Sequence, residues 1–335
     1  MLTVSLTTNQ QDFADYLEDL WSPREFPLSQ SSGEAGSPFA LLGISGISGI
    51  FHCYEITNHR AWAKWRAKLG HPTSQWWCST LKEAYLNYSW PEKSLPNSFQ
   101  CIVQRLQSGL ICSDNKNVRD ACLDIFEWGG VARKPNDSSR LWVNSQADMG
   151  RLCDSIRMAV EFLQPGCASS LAIFDGQELL MNSAMTKVYA AADPLNIIMY
   201  DGRVGAALGL LTRYWLQNLG SLSVPADLSF RWGPKRGEQP DARDPSLGVY
   251  KFKSLYQPAQ QMAQQNQSWA ELVRSSGGIL GNMASSLNNR GVSVTVDDIQ
   301  RALFMIGYNV KYSGVWTGIS VPPPNAPTDA AYAVI

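Results

Sequence analysis

The mostly apolar stretch of residues 185–211 contains Lys187 near its start and Asp201 and Arg203 in its middle. A fixed carboxylate can stabilise positive charge that develops in a transition state, and a desolvated lysine can act as a nucleophile. A structural role is the simpler alternative, because an Asp at a helix start accepts hydrogen bonds from free backbone N–H groups. Lys187 could then point to solvent, and Arg203 could form a local ion pair that contributes little. The pattern alone favours the structural role.

The predicted helices determine where these three residues lie in the fold. Residues 201–219 have helical spacing, so Asp201 lies at the first turn of an apolar helix. Thr295 and Asp298 match the spacing of a capping box at another helix start. The spacing and the turn residues predict further helices over 115–128, 144–166, 176–194 with a break near Asn182-Ser183, 268–287 and 295–310.

The sequence predicts a mainly α-helical protein with one main core, because segments with strand-like alternation are few and short. Its 335 residues are enough for one large domain or two smaller ones. We predict a looser N-terminal region over 1–110 that is helical and includes a Ser/Gly-rich loop at 29–49. A helical domain follows over 111–320, and a Pro/Ala-rich tail ends the chain at 321–335.

Composition describes an ordinary globular protein, with 44% hydrophobic residues and a net charge of −1. That balance does not by itself indicate a nucleic-acid partner. No run of about 18 uncharged apolar residues occurs, so we expect no membrane contact. The first residues lack the pattern of a secretory signal, and the seven cysteines form no C-x-x-C pair. We therefore expect a cytoplasmic monomer with reduced, mostly buried thiols.

The sequence indicates no metal or cofactor. The three histidines, His52, His59 and His71, lack matching carboxylates or cysteines, and we expect them to be a surface feature. A P-loop, a dinucleotide fingerprint, a zinc-protease motif and a serine-hydrolase elbow are all missing from the sequence. Nucleotide hydrolysis, dinucleotide redox chemistry and serine hydrolysis therefore have no support.

Residues 115–310 resemble the helix-hairpin-helix DNA glycosylases, the superfamily of endonuclease III and 8-oxoguanine DNA glycosylase. The resemblance rests on Thr186-Lys187-Val188, a Pro-containing turn, and then Tyr200-Asp201 with Arg203-Val204. The match is closer to a bacterial group with an 8-oxoguanine-glycosylase fold, some of whose members remove hypermodified bases in phage defence. That group also carries a Trp-Gly-Gly like residues 128–130 and an element similar to Arg301-Ala-Leu-Phe-Met-Ile-Gly-Tyr308.

The resemblance implies a bacterial enzyme that flips a modified base out of double-stranded DNA and cleaves its N-glycosidic bond, leaving an abasic site. Asp201 would be the catalytic carboxylate, and Lys187 would match the lysine of members that also cleave the strand. The substrate would be an oxidised purine or a hypermodified phage base such as glucosylated hydroxymethylcytosine. No cofactor is implied.

The sequence departs from the superfamily at the hairpin that gives it its name. Residues 181–185, Met-Asn-Ser-Ala-Met, stand where a glycine-rich hairpin presents backbone N–H groups to a DNA phosphate. This departure motivates an alternative, a non-catalytic DNA-binding or damage-sensing module on the same fold. A helical interaction protein in which Asp201 only caps its helix is a third alternative.

Further candidates for DNA contact are one aromatic residue and a set of basic residues. Trp128 could stack on the extruded base, or it could be a core residue followed by a helix C-cap. The segment 230–253 carries basic residues among glycines and aromatics and could contact phosphates, or it could be a solvated charged loop. The candidate basic residues are Arg203, Arg231, Lys235, Arg236 and Arg243.

Overall fold

The computed structural model describes residues 5–22, 52–55, 75–78, 80–88, 90, 98–234, 241–256, 258 and 261–310. Most of these residues are helical, which confirms the predicted mainly-α fold; the glycosylase-like arrangement remains a prediction. The ten α-helices of the described residues are α1 (Thr8–Trp21), α2 (Leu81–Leu86), α3 (Phe99–Ile111), α4 (Asn115–Trp128), α5 (Ser138–Asp148), α6 (Leu152–Leu163), α7 (Met185–Ala192), α8 (Gly202–Asn218), α9 (Met262–Asn289) and α10 (Val296–Ile306).

Local sequence signals located several of these helices correctly. The predicted helices at 115–128 and 201–219 are α4 and α8, and the capping box of Thr295 and Asp298 opens α10. The single helix expected over 144–166 is wrong, because the chain leaves the helix after Asp148 and starts α6 at Leu152. Gly150 has a φ of 70°, a left-handed conformation that ends the first of the two helices.

The helix expected over 176–194 begins only at Met185, after the predicted break near Asn182. Residues 176–184 are irregular, and side chains accept hydrogen bonds from several of their backbone N–H groups. The amide oxygen of Asn182 accepts hydrogen bonds from the N–H groups of Ala184 and Met185 at 2.9 and 3.1 Å. Asn266 on α9 accepts a hydrogen bond from the Met181 N–H at 2.6 Å. This long-range partner explains why local periodicity misjudged the segment.

Helix α8 is the central element of the fold. It is buried continuously from Val204 to Leu216, and a helix that is apolar all round belongs in the interior. It packs against α1 and α10, while α1 also packs against α9. Gly205 allows a loop to cross α8 closely, because a Cβ atom there would lie 1.9 Å from the carbonyl oxygen of Arg231.

The N-terminal helix α1 joins the same core as the later helices. The ring of Phe13 lies 5.9 Å from that of Trp215 and 6.0 Å from that of Phe230. The side chain of Thr7, which caps α1, also bonds to Asp227. The predicted division near residue 110 stays a prediction, and the Ser/Gly-rich loop and the C-terminal tail lie outside the described residues.

A short antiparallel ribbon, β1 (His52–Glu55) and β2 (Gln75–Cys78), pairs His52 with Cys78. The surface position expected for His52 is wrong, because its side chain is buried and its Nε2 lies 3.0 Å from the carbonyl oxygen of Ile306. His59 and His71 lie outside the described residues. Across the described part of the chain, every helix is too short or too polar to cross a membrane.

Candidate active site

Asp201 is the N-cap of α8. Its Oδ1 accepts hydrogen bonds from the backbone N–H groups of Arg203 and Val204, at 2.8 and 3.2 Å. These bonds satisfy two of the free donors at the helix start and fix the carboxylate in one orientation. The side chain is 14% exposed, so Asp201 is enclosed by protein but still reaches solvent.

The segment that leads into Asp201 is held by side chains from three helices. Thr186 of α7 donates its hydroxyl hydrogen to the Ile198 carbonyl at 3.1 Å and accepts from the Tyr200 N–H at 3.0 Å. The indole of Trp269 on α9 donates to the Tyr200 carbonyl at 2.8 Å. Gln300 of α10 accepts from the Met199 N–H at 2.6 Å. The position of the Asp201 carboxylate is therefore set by the packing of the whole core.

Lys187 follows Thr186 on α7 and is also buried, with 7% of its surface exposed. Its Nζ donates a hydrogen bond to the Ser183 carbonyl at 2.9 Å. Burial lowers the pKa of the Lys187 amine below its usual range, the Asp201 charge opposes that shift, and Arg203 adds to it. An amine in this setting has a larger uncharged fraction than a solvated lysine.

Arg203 is held beside Asp201 by a set of aromatic rings. Its Nη1 lies 3.6 Å from Asp201 Oδ2, and its side chain is 17% exposed. The guanidinium carbon lies 4.4 Å from the ring centroid of Phe304 and 4.5 Å from that of Tyr308. Trp90 adds a third ring at 5.7 Å. Cation–π contacts with rings at this distance keep the charge in place without neutralising it.

Positive groups dominate the surroundings of the Asp201 carboxylate. Burial alone would raise the pKa of Asp201, but four neighbouring groups reverse that effect and hold it below the ordinary value of 3.8. These groups are the charges of Arg203, Lys187 and Arg243 and the N–H of Val204. Asp201 is therefore ionised at neutral pH. Burial and the charge of Arg203 lower the pKa of Arg243 to about 10, while Asp201 opposes the shift.

Trp128 stands at the end of α4, packed among other aromatic side chains. The ring of Phe99 stacks on it at 3.8 Å with an angle of 18°, so one face of the indole is covered. The indole of Trp90 donates a hydrogen bond to the Trp128 carbonyl at 3.0 Å. Stacking of Trp128 on an extruded base stays a prediction, and it would require the face that Phe99 leaves open.

The structure brings Arg231 close to the start of α8 through its backbone. The Tyr200 hydroxyl donates to the Arg231 carbonyl at 3.0 Å and accepts from the Arg231 N–H at 3.1 Å. The next turn of this loop touches α8 at Gly233, whose N–H donates to the Gly202 carbonyl at 3.2 Å. Lys235 and Arg236 lie outside the described residues.

Several residues that complete this site were not predicted from the sequence. Phe304 and Tyr308 stand one helical turn apart in the C-terminal element, and this spacing could have identified one aromatic face. Ser183 and Gln300 act through a carbonyl and an amide, and no pattern marks them. Among the described residues no three His, Cys, Asp or Glu side chains form a group that could hold a metal ion.

In comparisons with known proteins, no family model, no curated protein and no solved structure matched this chain.

Proposed function

We propose that this protein is a DNA glycosylase that acts on double-stranded DNA. It flips a modified base out of the duplex and hydrolyses its N-glycosidic bond, leaving an abasic site. The bond between C1′ of the sugar and the base nitrogen breaks with its electron pair on the base. Water then supplies a hydroxyl group to C1′ and a proton to the base, so the products are an abasic sugar and the free base.

The observation that supports this proposal most is the environment of Asp201. Cleavage of an N-glycosidic bond places positive charge on the deoxyribose, and a nearby fixed carboxylate stabilises that charge. Asp201 has the rigidity for this task, because two backbone N–H groups hold it. It also has the charge, since its pKa is lowered. A carboxylate with a lowered pKa is a weak base, so we assign Asp201 to electrostatic stabilisation rather than to proton transfer.

Lys187 provides a covalent branch of the same proposal. Its uncharged amine would attack C1′ while the bond to the base breaks with its electron pair on the base, which takes one amine proton. The C1′–O4′ bond then opens, O4′ takes the second amine proton, and the resulting Schiff base allows strand cleavage by elimination. The lowered pKa of this buried amine supports such a step. Borohydride trapping tests it directly: a covalent protein–DNA product that Lys187→Met abolishes would establish the branch, and free abasic sites without trapping would restrict the enzyme to base excision.

The proposed substrates are an oxidised purine or a hypermodified phage base such as glucosylated hydroxymethylcytosine, the latter in antiviral defence. Both come from the motif resemblance. Purified protein would be incubated with an oxidised-guanine duplex, ordinary genomic DNA and phage DNA that carries glucosylated hydroxymethylcytosine. Alkaline cleavage counts abasic sites, and mass spectrometry identifies the freed base.

Two variants make this experiment specific. Asp201→Asn removes the charge but keeps a capping side chain, and we expect it to abolish base release without loss of DNA affinity. Asp114→Asn is the matched control, because Asp114 caps the start of α4, at the opposite end from Trp128. Release by the wild type and by the control, but not by Asp201→Asn, supports the proposal. DNA binding without release from any substrate would favour the non-catalytic module instead.

A further inference from the structure

The two glycines that follow Trp128 are required for different reasons. Gly130 has a φ of 63°, which favours glycine, and it belongs to a Schellman motif at the end of α4. In that motif the Gly130 N–H donates to the Glu127 carbonyl at 3.2 Å, and the Val131 N–H donates to the Phe126 carbonyl at 3.0 Å. The need for a left-handed residue at the end of α4 therefore explains the glycine at position 130.

The conformation of Gly129 does not require glycine. Its φ of −73° and ψ of −7° are ordinary for any residue, and alanine is normally favoured over glycine at such a position. The atoms that surround Gly129 are what restrict this position to glycine. A Cβ atom on Gly129 would lie 2.7 Å from Cδ and 2.9 Å from Cε of Lys187. Distances below 3.0 Å essentially never occur for real Cβ atoms, so a side chain at 129 would have to displace the lysine.

Lys187 has little freedom to move aside. Its aliphatic chain lies against the α-carbon of Gly129, and its Nζ is fixed by the Ser183 carbonyl at 2.9 Å. The residue is 7% exposed. A Cβ atom at 129 would therefore displace the Lys187 chain and draw the amine away from the Ser183 carbonyl.

We propose that Gly129 is a positioning residue of the candidate site: its missing side chain leaves the space that Cδ and Cε of Lys187 fill, and this holds the Lys187 amine at the Ser183 carbonyl. The functional meaning of this position rests on the glycosylase proposal. The positional coupling between Gly129 and Lys187 does not, and it can be measured without any activity.

The test is a double-mutant cycle read out by thermal unfolding of the full chain. Gly129→Ala is made in the wild type, in Lys187→Met and in Lys187→Ala. Methionine keeps heavy atoms at the positions of Cδ and Cε, whereas alanine removes both. We expect Gly129→Ala to lower the Tm in the wild type and in Lys187→Met, and to lower it much less in Lys187→Ala, where only the Ile125 carbonyl oxygen at 3.2 Å remains close to the new Cβ atom. Gly281→Ala is the control, because a Cβ atom on Gly281 in α9 would meet no atom within 4 Å apart from its chain neighbours and the backbone of its own helix.

An equal loss of Tm in all three backgrounds would overturn the proposal, since the collision would then be with something other than Lys187. The same conclusion follows if Gly129→Ala fails to fold in every background. If it folds only together with Lys187→Ala, the coupling is supported.

A second readout follows the amine itself. Reductive methylation of Lys187 across a pH series, quantified by peptide mass spectrometry, measures its pKa in the folded protein. We expect the pKa to rise toward the ordinary value of 10.5 in Gly129→Ala, because the displaced amine regains water. An unchanged pKa would show that Gly129 does not position the amine, and it would overturn the proposal. Absence of base release from every substrate would contradict the proposed function while leaving both of these readouts interpretable.

Discussion

The carbonyl oxygen of Arg203 occupies the space that a side chain on Gly307 would need. A Cβ atom on Gly307 would lie 1.9 Å from that oxygen and 2.8 Å from the Arg203 Cα. The end of α10 is therefore in direct contact with the first turn of α8. This contact brings Phe304 and Tyr308 over the Arg203 guanidinium, and it makes the Gly-Tyr pair of the C-terminal element part of the candidate site.

Gly307→Ala should destabilise the protein strongly. Gly307 has a φ of −72° and a ψ of 2°, so the effect is steric rather than conformational. Forcing an extra methyl group into a packed site costs about 1–3 kcal/mol, and we expect the upper part of this range or more. Urea unfolding measures it. Gly281→Ala, in open space, should instead stabilise by about 0.4–1 kcal/mol. Equal stability of Gly307→Ala and the wild type would contradict the close contact.

Asp201→Asn should cost stability even though asparagine is a good N-cap. It leaves Arg203 and Arg243 without the carboxylate that offsets their charges, and loss of a hydrogen-bonded charge costs about 1–3 kcal/mol. The difference must depend on pH. Because the folded-state pKa of Asp201 is lowered below 3.8, its contribution is complete above that pH and is lost as the pH falls through the lowered value. Urea unfolding of both proteins at neutral and acidic pH measures the cost and its pH dependence. If Asp201→Asn stays less stable than the wild type by the same amount in acid, the cost does not come from the Asp201 charge.

Thr186→Val tests how the approach to Asp201 is held. Valine has a similar shape but cannot bond to the Ile198 carbonyl or the Tyr200 N–H, and both of these bonds are buried. We expect a loss of about 1–3 kcal/mol in the free energy of unfolding, and recovery of most of it in Thr186→Ser. Thr212→Val is the contrast, because the buried Thr212 hydroxyl has no hydrogen-bond partner within the described part of the chain. Similar costs at the two threonines would argue against this role for Thr186.

His52 should make the protein sensitive to mild acid. Burial lowers the pKa of His52 to about 3 from its ordinary 6.5, although the bond to the Ile306 carbonyl opposes the shift. Because the folded-state pKa is depressed, this residue costs no stability above pH 6.5, and stability is lost progressively as the pH falls from 6.5 toward 3. One proton contributes a slope of up to about 1.4 kcal/mol per pH unit. His52→Gln, whose amide can donate the same bond, should flatten this slope in urea unfolding between pH 7 and 5.

Part of this architecture follows from short-range chemistry that sequence alone reveals. The cap at Asp201, the capping box of Thr295 and Asp298, and helices α4 and α8 depend on residues within a few positions of one another. Such signals are visible in the sequence because each helix start must satisfy its own backbone N–H groups with residues close by in the chain. Where a distant side chain supplies the partner, as Asn266 does for Met181, periodicity extended a predicted helix over residues 176–184, which are irregular.

The composition of the candidate site was decided by the tertiary structure. Sequence reasoning selected Asp201, Lys187 and Arg203, but it did not determine whether their side chains turn inward or meet. Packing buries Lys187 of α7 close enough to Asp201 for their charges to interact, and α10 adds the rings that hold Arg203. The clearance at Gly129 and the contact at Gly307 involve residues 58 and 104 positions away. Sequence by itself therefore determined which residue types and helix ends exist, while long-range packing decided their burial, neighbours and charge state, because these depend on contacts between distant parts of the chain.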